Sequence, residues 1–160
     1  MRIIIKRFEA LTNEELYEIL KIRVAVFVVE QKCPYQEIDD KDKYAFHVML
    51  MDGSEMLAYL RVLEAGVSFE HVSIGRVLSI KRHLGHGRIL LKEGIRIAFE
   101  ELKAEEIWIE AQSYAKEFYA NEGFKQTSDE FMEDGIPHVR MVLKSSYKEL
   151  KEINNDKSHL

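Results

Sequence analysis

The residues with the clearest chemical potential are six in a row, Arg82-His83-Leu84-Gly85-His86-Gly87, between a stretch with strand character and one with helical periodicity. A helix N-terminus leaves backbone N–H groups unpaired and carries partial positive charge, so it attracts phosphate. Gly85 and Gly87 remove the side chains that would hold a pyrophosphate away from those N–H groups. Arg82, Arg88 and Lys92 add cations around the same point. The pattern is not a Walker loop, which needs Gly-Lys-Ser/Thr, nor a dinucleotide fingerprint, which needs a third glycine. Taken alone, a Gly-x-Gly before a helix is equally well a tight turn.

Two further places could move protons or hold a cation. Glu110 interrupts an apolar strand over 107–111, where burial would raise its pKa, although the commoner outcome is a carboxylate on the strand's polar face. The 30–39 segment gathers Glu30, Glu37 and Asp39 around Tyr35. Carboxylate plus aromatic is a way to hold an ammonium group, and a solvated acidic loop capped by Pro34 is an equal alternative. Arg23 is placed to pair with one of these acids, a structural role. Glu30, Glu37, Asp39, His47, Glu110 and His138 are all candidate bases, and the sequence does not choose among them. The six histidines are too scattered for metal-ligand spacing, so no metal is expected.

These residues must be positioned by a chain of 160 residues, 46% hydrophobic and 32% charged, the balance of one globular domain. A formal net charge of −5 argues against nucleic-acid binding and is compatible with a cationic small-molecule partner. No apolar run reaches the roughly 18 residues needed to span a bilayer, and the N-terminus lacks a secretory signal. One cysteine, Cys33, permits no internal disulfide and fits a reducing compartment, so a cytoplasmic location is expected and no membrane partner. Oligomeric state is not legible, and a homodimer stays open.

The spacing predicts a strand over 3–8. A capping box at Thr12 and Glu15 then opens a helix with Leu16, Ile19, Leu20, Arg23 and Phe27 on one stripe. Strands over 44–50 and 56–63 flank an Asp52-Gly53 turn, and another strand covers 71–80. An amphipathic helix over 87–103 carries Leu91, Ile95, Ala98, Phe99 and Leu102. After the strand over 107–111, Ser113 is expected to cap a helix running through Asn121, which Gly123 stops. Phe124 opens a strand, and 139–143 is the last. The order β-α-β-β-β-α-β-α-β-β implies an α/β domain over 1–145, with a mixed sheet and helices on its faces, followed by a polar tail over 146–160.

In this order of elements, Arg82-x-x-Gly85-x-Gly87 resembles the coenzyme A pyrophosphate motif of the GNAT acetyltransferase superfamily. The run from Gln112 to Phe124, with Tyr119-x-x-x-Gly123-Phe124 at its end, is similar to that family's later strand–helix–strand unit. Finer signatures resemble the ElaA-like branch: Arg23 through Val26-Phe27-Val28-Val29-Glu30-Gln31, then Cys33-Pro34-Tyr35-Gln36-Glu37 and Asp39, then Ile74-Gly75-Arg76-Val77, and Glu133-Asp134-Gly135-Ile136-Pro137-His138.

The resemblance implies a GNAT fold, a mixed central sheet splayed at its middle strands and flanked by helices on both faces. It implies acetyl-CoA as acyl-donor cosubstrate and direct transfer of its acetyl group to a primary amine of a small molecule or peptide. A non-catalytic coenzyme A-binding sensor or partner domain is the alternative. The cofactor would meet backbone groups of Arg76, Val77 and Leu78, the turn from Arg82 through His83, Leu84, Gly85, His86 and Gly87 to Arg88, and Gln112. A backbone N–H near Val77 would face the developing oxyanion. Tyr119 matches the tyrosine that protonates the departing thiolate, with packing on Phe99 or Trp108 as its plain alternative; Glu110 is the second catalytic candidate. Glu30, Tyr35 and Glu37 are the expected acceptor contacts. Cys33 has no activating base beside it and is expected to be a packed thiol.

Overall fold

The computed structural model describes residues 1–145. The polar segment expected over 146–160 lies outside the described residues. Eight strands form one sheet in the order β1-β2-β3-β4-β5-β8-β6, with β7 paired to β8. The strands are β1 (Arg2–Arg7), β2 (Ala45–Asp52), β3 (Glu55–Leu63), β4 (Val72–Ser79), β5 (Glu106–Gln112), β6 (Lys125–Gln126), β7 (Phe131–Glu133) and β8 (Ile136–Lys144). Three α-helices connect them: α1 (Asn13–Val24), α2 (His86–Arg96) and α3 (Lys116–Ala120).

Alternation along the strands divides the sheet's two faces. Val48, Leu50, Leu60, Val62, Ile74, Ile107, Ile109 and Ala111 form the larger core with Leu90, Leu91, Ile97 and Ala98 of the α2 segment. Met49, Tyr59 and Leu78 point the other way and pack on Ile19 of α1. Helices therefore cover both faces of a mixed sheet. α1 begins where its capping box demands: the Glu15 N–H donates to Thr12 Oγ1 at 3.1 Å, and the Thr12 N–H donates to Glu15 Oε1 at 2.8 Å.

Several expectations are corrected. Both long helices loosen into π-helix at their C-terminal ends, over Ala25–Glu30 and Ile97–Glu101. Ser113 does not cap a helix. Its hydroxyl donates to Glu130 Oε2 at 2.8 Å, a 3-10 turn spans Ser113–Ala115, and only the five residues of α3 are α-helical. The last strand starts at Ile136 rather than 139, because Asp134-Gly135 closes a hairpin with β7. That hairpin sets Glu133 beside the end of β5. No helix among the described residues is long and apolar enough to cross a membrane.

Candidate active site

Parallel strands β4 and β5 pair only at Val72 with Ile107 and Ser73 with Trp108, then diverge. From Ile74 onward, β4 has no strand on that side. β4 is also bulged: on β3 the register advances two residues, Tyr59 to Arg61, while β4 advances three, from Leu78 back to Gly75. The extra residue is accommodated at Arg76, whose φ of +53° is left-handed. The open edge and the bulge together leave Arg76 and Val77 without a ladder partner on either neighbouring strand.

The turn after β4 leads directly into α2. His83 and Gly85 both take positive φ, +65° and +77°, and Gly85 is the N-cap of α2. Among the described residues, none of the backbone N–H groups of residues 83–88 donates a hydrogen bond. Residues 82–85 are exposed, so no side chain of the fold plugs the turn. A Cβ added at Gly87 would stand 3.1 Å from Ser79 Oγ and 3.5 Å from the Phe118 ring, so a glycine is what lets α2 sit against the end of β4. Consecutive unpaired amides at a helix start form a concavity for an anion. The surrounding cations are partly engaged. Arg82 pairs with Glu30 at the surface, while Arg88 Nε and Lys92 Nζ each lie 3.0 Å from the carboxylate of Glu122. A phosphate would have to share or displace those acids.

Beyond the split, β5 turns Trp108, Glu110 and Gln112 to the face opposite α2. Burial first, then a hydrogen bond and like charge from Glu133, push the Glu110 carboxyl up to about 7. The charge of Arg140 opposes this only in part. Arg140 Nη2 is 4.0 Å from Glu110 Oε1, and its guanidinium stacks over Trp108 at 4.9 Å. His138 donates from Nδ1 to the Ile136 carbonyl at 2.7 Å and sets Nε2 3.9 Å from Glu133. A half-exposed carboxylic acid with a pKa near neutrality is suited to general base work.

The remaining sequence candidates separate by environment. Glu37 is 3% exposed, and its Oε1 accepts from both Arg23 Nε (2.7 Å) and Arg76 Nε (2.6 Å), so the structure sets it inside an ion network rather than in an open acceptor site. The same network holds Asp39 and Asp42 with Arg61. Burial raises the Asp39 carboxyl, yet hydrogen bonds and charge from Arg61 and the charge of Arg76 outweigh it and bring it to about 2. Tyr35 lies under the Arg76 guanidinium at 5.6 Å. His47 is sealed: its Nε2–H donates to the Asp42 carbonyl at 2.9 Å and its Nδ1 accepts from the Tyr59 hydroxyl at 2.7 Å, and burial lowers its pKa. Gln112 exchanges amide hydrogen bonds with Gln31 at 3.1 and 3.3 Å. Cys33 is buried and donates to the Asp134 carbonyl at 3.3 Å, tying the 30–39 loop to the β7–β8 turn. Tyr119 stacks edge-on with Phe118 and Phe124, and burial raises its phenol pKa. Among the described residues its hydroxyl has no hydrogen-bond partner.

The family model described as the acetyltransferase (GNAT) domain matches residues 9–145. This chain belongs to the GNAT acetyltransferase family. ElaA of Escherichia coli is 35% identical over 136 residues, covering 82% of this chain and 89% of ElaA. The ElaA crystal structure superposes with a TM-score of 0.84 over 90% of this chain and all of its own. An acyl-CoA N-acyltransferase from Pseudomonas aeruginosa superposes with a TM-score of 0.82 at 36% identity, covering 88% of this chain and 97% of that one. The GNAT chain is thus an acyltransferase of ElaA-like type, from a family that uses acyl-CoA donors.

The GNAT turn fits such a donor: its amides are unpaired, and the space beside Gly85 is open, with nothing within 4 Å of where a Cβ would stand. Glu133 and Arg61 are the residues that sequence reasoning missed. A signal existed for each. Asp134-Gly135 has the same turn chemistry as Asp52-Gly53, and Arg61 is a charge inside an otherwise apolar strand, which demands a buried partner.

Proposed function

We propose that this chain is an N-acetyltransferase that moves the acetyl group of acetyl-CoA directly to a primary amine of a small molecule or peptide. The observation that carries it is the run of unpaired amides over 83–88, placed where β4 parts from β5. Those amides would hold the diphosphate, and the free edge of β4 at Arg76, Val77 and Leu78 would align the rest of the donor. When bound, the thioester supplies an activated acyl group. The Val77 N–H, beside the bulge, would be the donor offered to a developing oxyanion. Glu110, tuned near neutrality by burial and Glu133, takes the proton of the attacking ammonium. Glu30, paired with Arg82, and Tyr35, under the Arg76 guanidinium, would contact the acceptor. Tyr119 keeps its proton at neutral pH and its hydroxyl is uncommitted among the described residues, which supports it as the proton donor to a leaving thiolate, while the burial that raises its pKa opposes that transfer.

Coenzyme A release from acetyl-CoA, followed across a panel of amines after binding is established by calorimetry, tests this function. Amine-dependent release is expected. Tight binding with no release for any amine would favour a coenzyme A sensor instead. Tyr119→Phe removes only the phenolic proton, so it should leave the Kd for acetyl-CoA unchanged and lower kcat by about 10- to 100-fold, the lower part of the usual range for a general acid. An unchanged kcat would remove Tyr119 from the chemistry.

A further inference from the structure

Arg76 is a bulky residue in a left-handed backbone conformation, φ +53°, at the bulge of β4. Such a conformation is strained and persists only where its surroundings over-determine it. Here the surroundings are specific. Arg76 Nε donates to Glu37 Oε1 at 2.6 Å, and Nη2 donates to the Glu37 carbonyl at 2.9 Å and to Asp39 Oδ2 at 3.3 Å. The guanidinium plane also covers Tyr35.

Both anchors are themselves immobilised. Glu37 Oε1 accepts from Arg23 of α1, and Asp39 is gripped by Arg61 of β3 through Nη1 at 2.8 Å and Nη2 at 2.6 Å. Asp42 closes the network by accepting from Arg23 at 2.6 Å and Arg61 at 2.9 Å. A planar fork suits this task and an ammonium does not, because three acceptors are met from one rigid group.

We propose that Arg76 is a positioning residue whose side chain, clamped by Glu37 and Asp39, holds the β4 bulge so that the following amide is aimed into the cleft. Its consequence for turnover rests on the acyl-transfer function proposed above. The clamp ties that amide to α1 and β3 together, so the donor needs no reorganisation when charge develops. Glu37 thereby acts on the reaction through Arg76 and not by touching the acceptor.

Three variants separate side-chain clamping from simple structural support. Arg76→Ala removes the clamp and keeps the Cβ penalty. Arg76→Gly removes the clamp but tolerates positive φ, and Arg76→Lys keeps a charge without the fork. For Arg76→Ala and Arg76→Lys, kcat should fall by about 100-fold, as when one oxyanion donor is lost. The Kd for acetyl-CoA should rise by less than kcat falls, about tenfold at most, since the 83–88 amides that hold the diphosphate are unaltered and only the alignment along β4 is loosened. Arg76→Gly should recover at least about tenfold of the lost kcat over Ala, the reverse of the ordinary glycine effect on stability.

Hydrogen exchange of the β4 amides without ligand gives a second readout, independent of activity. Faster exchange over 74–78 is expected in Ala and Lys, with a return toward wild type in Gly. If Gly is no better than Ala in either readout, or if β4 exchange is unchanged in all three, the clamp is overturned. Wild-type protein that neither binds acetyl-CoA nor turns over would instead defeat the proposed function, and the exchange comparison would still decide whether Arg76 sets the bulge.

Discussion

Gly85→Glu should raise the Kd for acetyl-CoA by at least about 100-fold, equivalent to about 2.7 kcal/mol, while leaving the fold cooperative. Two effects act together. Gly85 is the N-cap of α2 with φ +77°, which a glutamate adopts only under strain. Its carboxylate would also project into open space beside the 83–88 amides, where an anion is to be bound, since nothing lies within 4 Å of a Cβ at this position. Gly85→Asn separates the two effects. Asparagine tolerates the left-handed region and is uncharged, so its binding should lie within several-fold of wild type. Calorimetric titration of both variants, with thermal melts to confirm folding, measures the difference. Normal binding by the glutamate variant would place the donor elsewhere.

Glu110→Gln should lower kcat/KM by about 10²- to 10⁴-fold, the range for loss of a general base. The pH dependence is more discriminating. A base must be ionised to act, so wild-type kcat/KM should rise with pH through about 7 as Glu110 loses its proton. Burial is the first cause of that high value and Glu133 the second. Glu133→Ala removes the second cause and should move the acidic limb to lower pH, since the carboxylate form is no longer opposed by a neighbouring carboxylate. Any limb due to the amine substrate's own ionisation stays where it is, which separates the two titrations. An acidic limb that is identical in wild type, Glu110→Gln and Glu133→Ala would exclude Glu110 as the base.

The sequence was most legible where local chemistry decides structure. The capping box at Thr12, the Asp52-Gly53 hairpin and the glycine turn before α2 depend on residues within a few positions of each other, and all three form as expected. The α/β architecture followed from hydrophobic periodicity in the same way. What stayed hidden depends on pairing across the fold. Glu37 read as a loop carboxylate open to an acceptor, and only the approach of α1 and β4 seals it against Arg23 and Arg76. For Glu110 the apolar strand leaves both a raised pKa and a plain solvent-facing carboxylate open, and the neighbour that adds to the upward shift arrives on the β7–β8 hairpin, too polar to read as strands. Ser113 misled because a helix cap is only one use for a serine hydroxyl, and here Glu130 takes it.

Amide-resolved NMR titration with coenzyme A, and separately with pantetheine, measures most directly whether the opening of α2 grips a diphosphate. Coenzyme A should produce its largest shifts at the amides of residues 83–88, and pantetheine, lacking phosphate, should leave those amides in place. Saturable coenzyme A binding with these six resonances unmoved, or equal shifts from pantetheine, would contradict it.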